Sequence, residues 1–125
     1  MSRTLVGVER AYYEAAVRKD GAAIEALISD KFHFTRPLDN SIDRNAYVQR
    51  CWPNSESFVA FDLISVVADD DKVFVTYEAA TADGSRFRNT EILRISNEQV
   101  TEVEVYFGWS LPHRAPPGTF AASNP

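Results

Sequence analysis

The sequence predicts an α+β domain, with helices in the first half and an antiparallel sheet in the second. Three observations predict it. Apolar residues recur at helical spacing between Thr4 and Trp52, interrupted by one alternating segment. From Phe58 onward the period changes to two. The later segments are separated by the turn sequences Asp69-Asp70-Asp71, Asp83-Gly84 and Ser96-Asn97-Glu98, which is the punctuation of consecutive hairpins.

The first helix is expected from Thr4 to Lys19, where Leu5, Val8, Tyr12, Ala15 and Ala16 share a face opposite Glu9, Arg10, Glu14 and Arg18. Asp20-Gly21 breaks it, and Asp20 can cap a second helix from Ala22 to Ile28. Lys31 to Arg36 alternates and stops at Pro37, which reads as a short strand with Phe32, Phe34 and Arg36 on one side and His33 and Thr35 on the other. Residues 37–41 have loop chemistry. Asp43 can cap a third helix, from Arg44 to about Trp52, which Pro53-Asn54 ends. Four strands follow: Phe58 to Ala68, Lys72 to Ala82, Ser85 to Ile95, and Gln99 to Trp109. Residues 1–125 are expected to be one domain, with a loose Pro- and Ala-rich tail from about 112.

Composition bounds the function. With 45% hydrophobic and 25% charged residues, the chain has the profile of a soluble globular domain. A net charge of −5 argues against nucleic acid or an anionic membrane as the main partner. Cys51 is the sole cysteine, so no internal disulfide can form. No apolar run approaches the roughly 20 residues of a membrane span. The opening Met1-Ser2-Arg3 reads as lacking a signal peptide, and a cytoplasmic location is expected. No His or Cys cluster has metal-ligand spacing, and there is no Gly-rich phosphate loop. His33 and His113 are weak candidates for chemistry. Cys51 reads as a small buried hydrophobe, since no histidine is placed to activate it.

Four segments together carry a resemblance: Tyr12-Tyr13-Glu14-Ala15 followed by Lys19-Asp20, then Ile24 to Ile28, Phe32 to Pro37, and Val103 to Phe107. The chain resembles the nuclear transport factor 2-like superfamily, and within it the SnoaL-like and ketosteroid-isomerase-like proteins. The resemblance runs to about Trp109 and implies a cone-shaped roll, with helices packed on a curved sheet around a pocket. In the isomerases of that superfamily, a tyrosine on the first helix and a protonated acid on a late strand donate to an oxyanion. An aspartate just before a proline on the first strand moves the proton. Here the tyrosine falls on Tyr12 and the acid on Glu91. The base position falls on Arg36, which cannot take up a proton near neutral pH, so that mechanism does not transfer unchanged.

The resemblance further implies that Phe34, Arg36, Phe74, Thr76, Glu78, Asn89, Glu91, Leu93, Val103, Val105 and Phe107 point into the cone, with Trp52 as a ligand-facing wall or a plain core contact. Arg36 reads either as a clamp for a carboxylate or enolate or as the structural ion-pair partner of Glu91 or Glu78. Glu91 and Glu78 read as acid–base groups, or as the partner of Arg36 and a solvated residue near the mouth. Tyr12 either donates into the pocket or packs helix on sheet. Arg86, Arg88, Glu102 and Glu104 are expected to face away from the cone.

Three functions follow. The first is an isomerase, cyclase or dehydratase-like catalyst on a small apolar carbonyl or carboxylate compound, which calls for no cofactor. The second is a binding module with the same pocket and no turnover, and the third a dimeric scaffold with a filled cone. A homodimer is expected through an outer sheet face carrying Val73, Val75 and Tyr77, because both faces of the sheet carry apolar residues.

Overall fold

A computed structural model describes residues 4–118. The opening Met1-Ser2-Arg3 and the end of the tail, 119–125, lie outside the described residues. The first helix, α1, spans Leu5–Arg18; Thr4 accepts from the Gly7 amide at its start. Lys19 ends it in the left-handed conformation, with its N–H returned to Ala15 and Ala16. Asp20 caps α2, Gly21–Leu27, by accepting from the Ala23 amide. β1, Ile28–Arg36, starts three residues earlier than alternation alone suggested.

Residues 39–41, expected as loop, belong to a short strand instead. β2, Asp39–Asp43, pairs antiparallel with β1. Its residue types favour turns; pairing with β1 supplies the ladder that propensity does not. Asp43 then caps α3, Arg44–Ala46, by accepting from the Ala46 amide. The helix widens into a π turn at Tyr47–Cys51 and tightens into a 3-10 turn at Trp52–Ser57. Such widened turns often occur where a helix serves a functional site.

β3 (Phe58–Asp69), β4 (Lys72–Thr81), β5 (Arg86–Ser96) and β6 (Gln99–Ser110) form the expected meander. One six-stranded sheet results, ordered β2-β1-β6-β5-β4-β3, antiparallel except for β1 beside β6. The sheet is open and the helices pack on one face. Val8, Ile24, Ile28, Phe32, Val73, Val75, Leu93, Val100 and Val103 fill the core between them. No helix among the described residues is long and apolar enough to cross a membrane.

The register corrects one sequence expectation. Val73, Val75 and Tyr77 lie opposite Leu93, Glu91 and Asn89 in the β4–β5 ladder. Directly opposed residues share a face, so these three point toward the helices with Glu91. They are buried to 0, 0 and 3% exposure and are not an outer surface. Phe74, Thr76 and Glu78, expected inside, lie opposite Ile92, Thr90 and Arg88 on the other face. The error is one of parity: a single-residue slip moves every side chain of a strand across the sheet.

Candidate functional site

A cavity of about 470 Å3 opens between α1, the α3 turns and the helix-facing side of the sheet. Its walls are mostly aromatic, with Phe34, Trp52, Phe58, Phe61, Phe87 and Phe107 among them. Tyr12 and Tyr13 enter from α1, Tyr47 and Cys51 from the π turn, and Tyr77, Asn89, Glu91 and Val105 from the sheet.

Glu91 is the buried centre of a hydrogen-bonded group. The Tyr13 hydroxyl donates to its Oε1 at 2.8 Å, and the Tyr77 hydroxyl to its Oε2 at 2.5 Å. Asn89 donates from Nδ2 to the Tyr77 oxygen at 3.3 Å and accepts the Gly108 amide at 3.2 Å. That last bond needs a backbone bulge in β6 at Gly108, where a Cβ would run into the Arg88 carbonyl. Burial pushes the Glu91 carboxyl above its ordinary range, against the two tyrosine donors, which pull it down. Burial also pushes the Tyr13 and Tyr77 hydroxyls up, reinforced by the neighbouring Glu91. These tyrosines therefore act as donors and not as phenolates.

Tyr12 and Tyr47 form a second polar pair, their hydroxyls 3.1 Å apart. One of the two donates to the other, so the pair retains one O–H that no bond to a described residue consumes. Burial raises both.

Arg36 reaches the cavity wall beside Cys51, but its partner is neither Glu91 nor Glu78. Its Nε donates to Asp39 Oδ2 at 2.7 Å. Asp39 Oδ1 accepts from Arg50 at 2.8 Å, and the Cys51 thiol lies 3.9 Å from Oδ2. The bond from Arg36 holds the Asp39 carboxyl below the usual carboxylate range. Sequence spacing could not reveal this pairing, because the residue responsible lies on the strand read as loop. Glu78 is instead bound by Arg88 and Arg86 outside the cavity.

Of the expected pocket residues, Tyr12, Phe34, Arg36, Trp52, Asn89, Glu91, Val105 and Phe107 line the cavity. Leu93 and Val103 share its face but lie fully buried in the core. Phe74, Thr76 and Glu78 are on the opposite face. Sequence reading missed Tyr13, Tyr47 and Tyr77, the residues that make the polar network. The signal for Tyr77 was present: Val73, Val75, Tyr77 and Ala79 form the more apolar alternate set of β4. His33 is exposed, as its parity implied. Among the described residues no cluster of His, Cys, Asp and Glu could hold a metal ion.

The helices, the mixed sheet and the cavity between them define an α+β protein of the nuclear transport factor 2-like class. Residues 10–103 match the SnoaL-like domain, and the chain belongs to that family. No curated protein matches it in sequence. Its fold is similar to a candidate ketosteroid isomerase from Kribbella flavida DSM 17836, with 16% identity and a TM-score of 0.74 over 91% of this chain and 83% of that one. A candidate polyketide cyclase from Sinorhizobium meliloti gives 17% identity and a TM-score of 0.66 over 78% and 92%. A protein with a cystatin-like fold from Xanthomonas campestris gives 19% and 0.73 over 86% and 92%. At these identities the likeness establishes the fold alone.

Proposed function

We propose that the chain takes up a small apolar carbonyl compound and moves a proton at the carbon next to the carbonyl, as an isomerase or cyclase does. One observation carries this reading. Glu91 is a buried carboxyl with a raised pKa in an aromatic cavity, oriented by two tyrosine donors. A raised carboxyl pKa suits proton exchange near neutral pH. Each Glu91 oxygen accepts one hydroxyl and keeps a second lone pair for a substrate proton. The spare O–H of the Tyr12–Tyr47 pair would donate to the oxygen on which enolate charge develops. In the balanced step, the C–H bond breaks, its proton goes to the carboxylate, and the electron pair moves to the carbonyl oxygen. The proton then returns to carbon.

The test is solvent deuterium exchange into an enolisable apolar ketone, with 2-tetralone as probe, followed by proton NMR. Exchange above the buffer rate that is lost in Glu91→Gln, with circular dichroism unchanged, supports the reading. Exchange at the buffer rate with a bound probe would leave a binding module without turnover. One observation favours that second reading: the base position of related isomerases holds Arg36, a cation already engaged by Asp39.

A further inference from the structure

We infer that Arg36 is a carboxylate clamp, so that the preferred ligand is a monocarboxylic acid with an aromatic or alicyclic body. This deepens the pocket reading above and rests on a ligand entering the cavity, but not on turnover.

The argument begins with charge. Arg36, Arg50 and Asp39 form one cluster of two guanidinium groups and one carboxylate. Asp39 is buried, with 3% of its side chain exposed, and both of its oxygens are used. The cluster therefore carries one uncompensated positive charge. Arg50 is 62% exposed and its charge is met by water, whereas Arg36 is 25% exposed and lines the cavity. Glu91, on the same cavity, forms no ion pair with Arg36; its oxygens accept from Tyr13 and Tyr77.

Geometry then selects the anion. A guanidinium offers two edges for a two-point bond, one through Nε and one through the paired terminal nitrogens. Asp39 takes Nε. No bond from the terminal pair of Arg36 to another described residue accompanies it, so the second edge stays available. That edge matches a planar carboxylate, whose two oxygens can each accept one N–H. Asp39 also fixes the orientation of the fork before any ligand arrives, which lowers the ordering cost of binding. The rest of the wall is Phe34, Trp52, Phe58, Phe61 and Phe87, so the body attached to the carboxylate should be apolar.

The test is isothermal titration of matched probes, 2-naphthoate and cyclohexanecarboxylate against their amides and methyl esters. At least tenfold tighter binding of the acids is expected. Arg36→Lys should lose most of that preference although it keeps the charge. The double variant Arg36→Met/Asp39→Asn should abolish it, and it avoids leaving Asp39 as an unpaired buried charge. Arg50→Ala should weaken the preference in part, because it removes one of the two cations that leave the cluster positive. Equal affinity for acids and neutral analogues overturns the inference, as does an acid preference that survives in the double variant. The outcomes separate from those of the exchange experiment. Acid preference without deuterium exchange sinks catalysis alone, whereas exchange into a neutral ketone without acid preference sinks the clamp alone.

Discussion

Tyr77 donates its hydroxyl to Glu91 at 2.5 Å from the adjacent strand, on the face where Tyr13 donates to the same carboxyl from α1. A helix and a sheet are thus tied through one buried acid. Removing either donor leaves part of the carboxyl without a partner, and a buried unsatisfied group of this kind costs about 1–3 kcal/mol. Tyr77→Phe should show that loss in urea unfolding, and Tyr13→Phe a similar one. Because both act on Glu91, the double variant should depart from additivity. The donors also hold the carboxyl pKa down against burial, so each variant should raise it further in a carbon-13 NMR titration of the side chain. A stability change within about 0.5 kcal/mol would mean that water replaces the hydroxyl and that the cavity is wet at this point.

Glu9 makes stability depend on pH. It lies on the buried side of α1, fully covered, and neither oxygen has a hydrogen-bond partner among the described residues. Burial pushes its pKa up from 4.5 to about 7, with Arg10 opposing weakly. A folded-state pKa above the unfolded one means that the folded protein holds the proton more tightly. Its contribution is therefore full below about pH 4.5 and is lost as pH rises through about 7. The loss is on the order of 1–3 kcal/mol, nearer the lower figure if the surroundings relax around the charge. Glu9→Met should flatten this part of the stability profile and be more stable than the parent at pH 8, read by denaturant melts from pH 5 to 8. An unchanged profile would show that Glu9 finds a partner or water in solution.

Much of the fold was legible because the local signals agreed with one another. Thr4, Asp20 and Asp43 are helix-starting residues in the sequence, and Asp20 and Asp43 cap the helices that their positions implied. The strands from Phe58 onward followed from alternation and turn residues. The site was less legible because its chemistry depends on register. Alternation says that Val75 and Phe74 face opposite ways, but not which one faces Glu91; the hairpin closed through 82–85 decides that. Asp39 was hidden for a different reason. A run of Asp, Asn and Ser gives no strand signal, and only its pairing with β1 carries the carboxyl to Arg36.

A homodimer is expected through the sheet face that the helices leave bare. With the register known, that face carries Val67, Phe74, Ile92 and Glu104 in one cross-strand row, and Ser65, Thr76, Thr90 and Tyr106 in the next. Val67 and Tyr106 are 55% and 53% exposed, and Phe74 and Ile92 are only partly covered. Toward one end of these strands Arg94 pairs with Asp71 and Glu102, and toward the other Arg86 and Arg88 pair with Glu78. The first group has one cation to two carboxylates and the second two cations to one carboxylate, so a two-fold axis that brings opposite ends together would pair them, and it can lay the central rows against themselves. Light scattering on the eluting protein should give twice the chain mass at micromolar concentration. Tyr106→Arg should shift it to the monomer with little loss of secondary structure, since this side chain is exposed and lies outside the core. Val75→Arg should instead unfold the chain, because Val75 is fully buried on the helix-facing side and a guanidinium there would lose its water. A monomer for the parent protein, or a dimer that persists in both Tyr106→Arg and Val67→Arg, would reject this face as the interface.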